Sequence, residues 1–369
     1  MRLGDAAPEY TALPAKHRQR RPRVPARALG FGFLTVLVTG GAGYIGSHAA
    51  KALAAAGQKV VVLDDLSNGT RDFVRWGPLV VTDVGDAAAL DEAFSRHRPE
   101  AVLHFAARIE SAASIERPDE YRRVNVTATR ALLDAMARHG VTKLAFSSSA
   151  AVYRPSSAAP IAEAAPLDPV TPYGTSKVEA EQAIREHATH GNLRWVALRY
   201  FNAAGADIDG ELGEAHEPET HAVPLAIAAA LGGAPFRVFG TDYGTPDGTA
   251  IRDYVHVSDL ASAHVAALRY LDGGGDSAAF NLGAGQGASV RELLAAIAAL
   301  SGRPVPSVDV GRRPGDLPAL VADSRLARAR GLWQPRHSDL ETILRTAWQW
   351  HRAGSTRETT RAVATSHPR

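Results

Sequence analysis

A tyrosine and a lysine four residues apart could carry acid–base chemistry in this chain. Tyr173 and Lys177 stand in the segment Thr171-Pro-Tyr-Gly-Thr-Ser-Lys177, and residues four apart share one face of a helix. A nearby ammonium lowers the pKa of a phenol towards neutrality, so we expect Tyr173 to serve as both acid and base. Ser149, in the serine-rich segment before this helix, could donate a hydrogen bond to the substrate oxygen that loses its proton.

A glycine-rich segment near the start of the chain is typical of a dinucleotide site. It reads Val36-Leu-Val-Thr-Gly-Gly-Ala-Gly-Tyr-Ile-Gly46 and lies between an apolar run and a helix-like stretch. Glycines permit a tight turn, close approach of the backbone to a pyrophosphate, and close helix–strand packing. The helix N-terminus offers N–H groups and a positive dipole to the phosphates. The positions predicted to contact the cofactor here are Gly40, Gly43, Tyr44, Ile45 and Gly46.

An acidic residue after the second apolar run distinguishes between two cofactors. Asp64 closes the run Val60-Val-Val-Leu-Asp64, eighteen residues after Gly46. A carboxylate at this place accepts hydrogen bonds from ribose hydroxyls and repels a 2′-phosphate, which predicts NAD rather than NADP. Asp83 and Val84 follow the third apolar run, where an adenine contact would fall, although an aspartate is also ordinary at a strand end.

The elements that must position these residues alternate regularly from Phe33 onward. The predicted strands are residues 33–39, 59–63, 79–82, 101–104, 143–147 and 194–199. The predicted helices are residues 45–56, 87–97, 120–139 and 176–190. This alternation predicts an α/β fold, namely a Rossmann-type doubly wound parallel sheet with a smaller C-terminal α/β substrate domain.

Composition shifts along the chain suggest four segments. Residues 1–32 are rich in Arg, Pro and Ala without apolar periodicity, which predicts a basic disordered arm. Residues 33–201 are predicted to be the NAD-binding domain. Residues 202–353, where the alternation gives way to Gly/Pro-rich loops, are predicted to be mainly a substrate domain, with segments near 253–282 returning to the first. Residues 354–369 are predicted to be a flexible tail.

Charge and cysteine content exclude several classes of protein. Residues 1–33 carry a net charge of +5, and the rest of the chain carries −3 although the total is +2. The body of the protein is therefore not basic, and we expect no nucleic-acid partner. The chain has no cysteine, which excludes disulfides, thiolate metal sites and a cysteine nucleophile. We expect no metal, and a cytoplasmic location fits this composition.

The stretch between Arg27 and Lys51 has no charged residue and follows a basic segment. Such a pattern can be a signal peptide or a membrane anchor. Six glycines interrupt this stretch, however, and only its middle is strongly apolar. A core strand followed by a glycine turn explains it better, so we expect no membrane partner.

Seven motifs in order resemble the extended short-chain dehydrogenase/reductase family, and within it the 4-epimerase branch. The resemblance runs from about residue 33 to residue 350. The motifs are Thr39-Gly-Gly-Ala-Gly-Tyr-Ile-Gly-Ser-His48, Leu103-His-Phe-Ala-Ala107, Ser147-Ser-Ser-Ala-Ala-Val-Tyr153, Leu198-Arg-Tyr-Phe-Asn-Ala-Ala-Gly205, Asp247-Gly-Thr-Ala-Ile-Arg-Asp-Tyr-Val-His256, Asn281-Leu-Gly-Ala-Gly-Gln-Gly287 and Arg312-Arg-Pro-Gly-Asp316.

The resemblance implies an NAD-dependent epimerase that interconverts UDP-galactose and UDP-glucose through a 4-keto intermediate. It implies cofactor contacts from Asp64, Asn68, Asp83, Val84, Phe105, Ala106, Ala107, Asn125, Ser147, Tyr173, Lys177 and Tyr200. It implies substrate contacts from Ser149, Tyr173, Asn202, His221, Arg252, Arg313, Asp316 and Leu320. Two arginines also suit a pyrophosphate on physical grounds, because a guanidinium fork binds oxygens bidentately.

Substrate choice and assembly are further expectations from the resemblance. In similar epimerases the residue four after the Arg-x-Gly-Asp aspartate borders the sugar pocket, where a tyrosine fills the space of an N-acetyl group. Leu320 stands there in this chain. We therefore expect UDP-glucose and UDP-galactose as preferred substrates with slower N-acetylated sugars, and UDP-pentoses stay open. Residues 120–139 and 176–190 resemble an intersubunit four-helix bundle, which predicts a homodimer.

Two rival functions can be weighed on single features of the sequence. Similar sugar-nucleotide dehydratases place an Asp-Glu pair directly after the active-site Ser or Thr, and this chain has Ala150-Ala151 there. Elimination would therefore lack its acid and base. A cofactor-binding regulator without catalysis resembles this chain in the glycine loop but usually lacks the Tyr/Lys pair, which is present here.

Overall fold

The computed structural model describes residues 32, 34–154, 160–313 and 315–365. Residues 1–31 of the predicted arm lie outside these ranges. The described strands are β1 Thr35–Thr39, β2 Lys59–Asp64, β3 Leu79–Val81, β4 Ala101–His104, β5 Lys143–Ser149, β6 Arg194–Tyr200, β7 Asn202–Ala204, β8 Phe236–Phe239, β9 Ile251–Arg252, β10 Tyr254–His256, β11 Ala278–Leu282, β12 Ala288–Ser289, β13 Ser307–Val310 and β14 Ala319–Leu320. The described helices are α1 Tyr44–Ala55, α2 Ala87–His97, α3 Ser111–Glu116, α4 Pro118–Arg122, α5 Ala128–Arg138, α6 Pro172–His190, α7 Ala222–Ala230, α8 Val257–Asp272, α9 Val290–Ser301, α10 Arg325–Ala329 and α11 Leu340–Thr365.

Seven parallel strands form the central sheet in the order β11-β6-β5-β4-β1-β2-β3. The chain starts in the middle with β1, winds to one side through β2 and β3, and then to the other side through β4, β5 and β6. The predicted doubly wound α/β fold is thereby confirmed, because this reversal beside β1 is its defining feature. The carboxyl ends of β1 and β4 consequently lie side by side at the point of reversal.

Successive residues of β1 pack alternately into two separate hydrophobic cores, one on each face of the sheet. Val36 and Val38 point to the face that is covered by α1 and α8, and Leu37 points to the face that is covered by α2, α5 and α6. This period of two is what a strand buried on both faces requires. Each fully buried leucine or valine contributes about 1.5–3 kcal/mol to the free energy of unfolding.

The second half of the chain divides its elements between the sheet and a smaller cluster. Helices α7, α9 and α11 pack around a core of their own, together with β8 and β10. Helix α8 nevertheless packs on α1, and β11 pairs with β6 at the edge of the central sheet. The chain therefore returns to the sheet between residues 257 and 282.

Several boundaries differ from the predictions, and helix α6 begins at Pro172, four residues before its predicted start, so that it includes Tyr173. Strand β5 continues through Ser149, two residues beyond its predicted end. The predicted helix 120–139 consists of α4 and α5 joined by a π-helical turn at Arg123–Thr127. Helix α11 runs to Thr365, so the predicted tail from residue 354 is helical as far as that residue.

The uncharged stretch before Lys51 folds as β1, a glycine turn and α1. Among the described residues, none of the helices is long and apolar enough to cross a membrane.

Candidate active site

Three polar side chains meet at the carboxyl ends of β5 and β6. Ser149 is the last residue of β5 and pairs in register with Tyr200 of β6. Ser147, two residues earlier on the same face, is hydrogen-bonded to the Tyr200 hydroxyl. Helix α6 begins beside them, because the Thr171 hydroxyl accepts the N–H of Gly174 and so caps its first turn. The first turns of α6 therefore place Tyr173 and Lys177 beside these strand ends.

Lys177 is buried beside Tyr173. Its side chain is buried, and Nζ donates a hydrogen bond to the Ser147 carbonyl oxygen over 3.0 Å. Nζ also lies 5.0 Å from the centre of the Phe146 ring. Burial lowers the pKa of Lys177 to about 8, although the carboxylate of Glu181 opposes that shift. The lysine is therefore charged at neutral pH but close enough to its pKa to titrate just above it.

Tyr173 is half-buried at the start of α6, near Ser149. Burial raises the pKa of Tyr173, the hydrogen bond with Ser149 lowers it, and the charge of Glu110 raises it further, with a net upward shift. The predicted lowering by Lys177 is therefore wrong for these side chains by themselves. The lysine Nζ lies 6.0 Å from the centre of the phenol ring, too far to outweigh the loss of hydration.

A buried ion pair that the sequence analysis missed lies one helical turn after Lys177 on α6. The Arg199 guanidinium donates to both carboxylate oxygens of Glu181, at 2.8 and 2.6 Å, and Ser148 Oγ donates to the same carboxylate at 2.6 Å. Arg199 also donates to the Tyr153 hydroxyl at 3.0 Å. Because Glu181 stands four residues after Lys177 on α6, its carboxylate was the one signal in the sequence that could have revealed this network.

The glycine loop between β1 and α1 has the shape that a dinucleotide phosphate requires. Gly40 has a φ of +69°, and a Cβ atom there would lie 2.5 Å from the Ala106 nitrogen. A Cβ atom on Gly46 would lie 2.2 Å from the Gly40 oxygen. Gly43 precedes α1 without a side-chain cap, so the first-turn N–H groups of Tyr44, Ile45 and Gly46 keep their capacity to donate. These residues fit a pyrophosphate.

Three predicted adenosine contacts lie where β2 and β3 end. The Asp64 carboxylate is buried and accepts the N–H groups of Ala42 at 2.9 Å and Leu66 at 2.8 Å. It therefore fixes the glycine loop and retains acceptor capacity for a hydroxyl group. Asp83 accepts the N–H of Gly85 and pairs with Arg123, and Val84 is buried beside it. Asn68 accepts from Arg108 and donates to Glu110.

The predicted nicotinamide contacts follow β4. Phe105, Ala106 and Ala107 continue directly from that strand, and the Phe105 ring lies 4.5 Å from the His264 ring. Asn125 is buried and accepts the Arg108 N–H at 2.8 Å while donating to the Arg108 oxygen and to Ser176 Oγ. Asn125 thus ties this loop to α6.

His104 is a second functional candidate that the sequence did not reveal. Its ring is buried and hydrogen-bonded to Thr39 Oγ1 at 2.6 Å and to Thr129 Oγ1 at 2.9 Å. Burial lowers the pKa of His104 to about 3, and the charge of Lys177 acts in the same direction. A neutral imidazole therefore positions the ends of β1 and β4 against α5.

The predicted substrate contacts gather around β9 and β14. Arg252 donates to the carbonyl oxygens of Ile251 and Leu317, and its guanidinium lies 3.5 Å from the Asp316 carboxylate. Asn202 donates to the carbonyl oxygen of Asp253. The carboxylate of Asp253 in turn accepts three backbone N–H groups, from Ala284, Gly285 and Ala322. The sequence analysis missed Asp253, which fixes this whole region.

The remaining three predicted substrate contacts lie on different parts of the chain. The guanidinium of Arg313 is exposed at one side and stacks 3.7 Å from the centre of the Phe239 ring. Leu320, on β14, packs against the apolar cluster that contains Ala150, directly after Ser149. His221 immediately precedes α7, where it contacts Glu214.

Comparison with known proteins shows extensive similarity. The profile of the NAD dependent epimerase/dehydratase family matches residues 36–283. The UDP-glucose 4-epimerase of Rhizobium leguminosarum bv. trifolii is 52% identical over 318 residues, covering 86% of this chain and 97% of that protein. The crystal structure of UDP-glucose 4-epimerase from Brucella ovis in complex with NAD is 49% identical with a TM-score of 0.82, covering 85% of this chain and 97% of that one. The UDP-glucose 4-epimerase structure from Stenotrophomonas maltophila with bound NAD and formylated UDP-arabinopyranose is 41% identical with a TM-score of 0.85, covering 88% and 99%.

Proposed function

The chain belongs to the NAD dependent epimerase/dehydratase family, and we propose that it is a UDP-glucose 4-epimerase, which interconverts UDP-galactose and UDP-glucose. The observation that carries the proposal is the convergence of Tyr173 and buried Lys177, from α6, with Ser149 at the carboxyl end of β5 beside the glycine loop. This arrangement supplies a proton acceptor next to a dinucleotide site. Epimerisation at a secondary alcohol requires both.

NAD is the cofactor, and the residues that would hold it are the glycine loop, Asp64 and the loop after β4. When bound, NAD supplies the hydride acceptor and donor, and in its oxidised form it adds positive charge that favours a phenolate. The Asp64 carboxylate favours NAD over NADP because it would repel a 2′-phosphate.

We assign the proton transfers to Tyr173 and their orientation to its two neighbours. Tyr173 accepts the proton of the sugar 4-hydroxyl as that carbon loses its hydride, and it returns the proton once the 4-keto sugar has turned over. Ser149 donates a hydrogen bond to the same oxygen. Lys177 stabilises the phenolate by its charge and would contact the nicotinamide ribose.

The UDP moiety is clamped while the sugar turns over. Arg252 and Arg313 would neutralise the pyrophosphate, and Asp316 would accept a ribose hydroxyl, with Asn202 beside them. We propose a division of the chain into two domains. Residues 33–201 with 253–282 bind the cofactor, and the rest of 202–353 binds mainly the substrate. Dehydration is disfavoured, since buried Ala150 and half-buried Ala151 follow Ser149 in place of an acid and a base.

Incubation with UDP-galactose and no added cofactor tests the function directly. We expect UDP-glucose as the product, because a tightly held NAD returns its hydride in every cycle. A 4-keto-6-deoxy sugar would instead indicate a dehydratase, and an absence of turnover by NAD-loaded protein would indicate a binding module.

Denaturing extraction of the purified protein should release NAD. The reason is the buried carboxylate of Asp64 at the end of β2. Chromatography against both standards distinguishes the cofactors, and finding NADP would overturn the assignment. Asp83, which is paired with Arg123 on the surface, offers a control: Asp83→Asn should leave the preference for NAD unchanged, whereas Asp64→Asn should weaken it.

Sugar choice is proposed to depend on Leu320. Its side chain packs on the cluster that holds Ala150, next to the catalytic Ser149, so its bulk borders the region where a sugar would lie. We expect UDP-glucose and UDP-galactose to be preferred, with slower turnover of the N-acetylated pair, since such discrimination by bulk amounts to about 1–3 kcal/mol. UDP-pentoses remain a second substrate class.

Leu320→Tyr should lower turnover of the N-acetylated pair more than that of the hexose pair, as measured by kcat/KM for each. Leu320→Met, which nearly conserves volume, should change neither. Unchanged N-acetyl activity in a folded Leu320→Tyr variant would show that this position does not set the choice.

Assembly as a homodimer is proposed on the helices α4, α5 and α6. They lie side by side, joined by the surface ion pairs Arg122–Glu179 and Arg130–Glu186, and line an open groove of about 500 Å³. Light scattering at micromolar concentration should give twice the 39.0 kDa mass of one chain, and a single-chain mass would contradict the proposal. A cytoplasmic location is proposed together with the function.

A further inference from the structure

Four metal-ligating side chains converge in the loop between β7 and α7. Glu214, His216, Glu219 and His221 each offer one nitrogen or carboxylate oxygen, and these four atoms all lie within 4.8 Å of one another. We propose that these residues form a binding site for a divalent transition-metal ion of the zinc type. The proposal rests on the geometry of these four residues and not on the epimerase chemistry, although the resemblance also implies a substrate contact for His221. It also replaces the expectation of no metal, which rested on the absence of cysteine.

The distances between donor atoms approach those of tetrahedral coordination. His216 Nδ1 lies 3.2 Å from Glu214 Oε1, and His221 Nδ1 lies 3.6 Å from Glu219 Oε1. Ligands placed about 2.0–2.1 Å from a tetrahedral zinc ion are separated by about 3.3 Å. His221 Nδ1 is also in contact with Glu214 Oε1, so this pair has to separate to admit an ion.

One nitrogen of the cluster lacks a hydrogen bond. His216 Nδ1 is shielded from solvent and makes no hydrogen bond within the described residues, although the Glu214 oxygen is only 3.2 Å away. A buried nitrogen without a hydrogen-bonding partner is costly and calls for an explanation. A nitrogen and an oxygen that are close but not aligned for hydrogen bonding are arranged as two ligands of one ion would be.

The loop that carries the donors is fixed independently of any ion. Trp350 Nε1 donates to the Glu214 carbonyl oxygen at 2.8 Å, and a Cβ atom on Gly213 would collide with the Trp350 ring at 2.3 Å. Glu219 Oε1 accepts the N–H groups of Thr220 and His221, which turns the chain into α7. The donor atoms are therefore preorganised, which lowers the conformational cost of binding.

Burial and charge suit a divalent cation that enters from one side. The Glu214 side chain is 2% exposed and that of His221 is 42% exposed, so the cluster has a closed base and an open rim. The two carboxylates carry a charge of −2, which a divalent ion cancels, and binding releases the proton that His221 holds beside Glu214. Imidazole nitrogens favour zinc, copper, iron and nickel over magnesium and calcium, which prefer oxygen ligands.

A nearby acidic group differs from this cluster because a lysine already pairs with it. Asp207, Asp209 and Glu211 also lie close together, but Lys51 Nζ lies 2.6, 3.2 and 2.7 Å from their carboxylates. The protein therefore already supplies a cation to that group. This acidic group therefore provides a matched control on the same loop.

A bound ion would link the loop to the cofactor side of the molecule. The Tyr44 ring of the glycine loop meets the His216 ring edge-on at 6.3 Å, and the Tyr44 hydroxyl donates to the Gly205 oxygen at 2.6 Å. Metal binding should therefore raise the melting temperature of the protein, because a ligand that binds only the folded state stabilises it by mass action.

Zinc titration of the chelator-treated, tag-free full-length protein tests the proposal. We expect one zinc ion per chain by elemental analysis after gel filtration, a higher melting temperature, and no comparable effect of Mg²⁺. His216→Ala and Glu219→Gln should each weaken zinc affinity at least about 10–100-fold, because even an outer partner of a metal ligand has an effect of that size. Asp209→Asn should bind zinc as the wild type does.

Circular dichroism and NAD content of the variants show whether each is folded, and Glu219→Gln, which keeps the side-chain shape, guards against a His216→Ala variant that fails to fold. Wild-type protein that retains no zinc after gel filtration, or folded variants that retain it fully, would overturn the proposal. Neither measurement depends on turnover, so failure of the metal site and failure of the epimerase function would be distinguishable.

Discussion

Tyr173→Phe is expected to lower the turnover of UDP-galactose by about 10²–10⁴-fold, the usual contribution of a positioned acid–base group. The substitution removes only the phenolic hydroxyl, at the meeting point of β5 and α6. The NAD content of the purified variant should stay at the wild-type level, because the glycine loop and Asp64 are unchanged. Coupled detection of UDP-glucose and extraction of the cofactor measure the two quantities.

A neighbouring tyrosine provides the control. The Tyr121 ring lies 6.4 Å from the Tyr173 ring, and its hydroxyl donates to the Glu110 carbonyl oxygen. Tyr121→Phe should keep turnover within the same order of magnitude as the wild type. If Tyr173→Phe lost less than about tenfold, or 1.4 kcal/mol of transition-state stabilisation, another group must serve as the base.

Lys177→Met should also reduce turnover by about 10²-fold or more, and unlike Tyr173→Phe it should lower the retention of NAD. Methionine keeps the length and much of the volume of lysine, whereas the charge beside the phenol and the hydrogen bond to Ser147 are lost. Since burial lowers the pKa of Lys177 to about 8, the lysine is charged below that pH and loses its charge above it. Wild-type turnover should therefore fall as the pH rises beyond about 8.

Lys143 is the matched control for this substitution. It stands at the opposite end of β5 from Ser147 and Ser149 and pairs with Asp272. Lys143→Met should cost no more than about 1 kcal/mol of folding free energy, as expected for a partly exposed ion pair, and it should leave kcat and its pH profile unchanged. Equal losses in the two variants would mean that Lys177 acts through stability alone.

The amino-acid sequence by itself determined the features that depend on neighbours along the chain. The β-branched runs predicted six strands of the central sheet, because alternation of side chains is a property of the strand itself. The glycine loop could be recognised since Gly40 and Gly46 are required by local backbone geometry. Tyr173 and Lys177 could be paired because four residues make about one helical turn.

Other features depended on contacts between distant segments, and only the tertiary structure decided them. Arg199 is separated from Tyr153 by 46 residues and Tyr153 from Asn281 by 128, so no local pattern could pair these three side chains. The upward shift in the pKa of Tyr173 follows from burial, which all the packed segments produce together. The cluster of Glu214 and its two histidines likewise required the path of a loop that Trp350, from the last helix, holds in place. Hydration and proximity are properties of the folded chain, and for this reason they decided the electrostatics of the site.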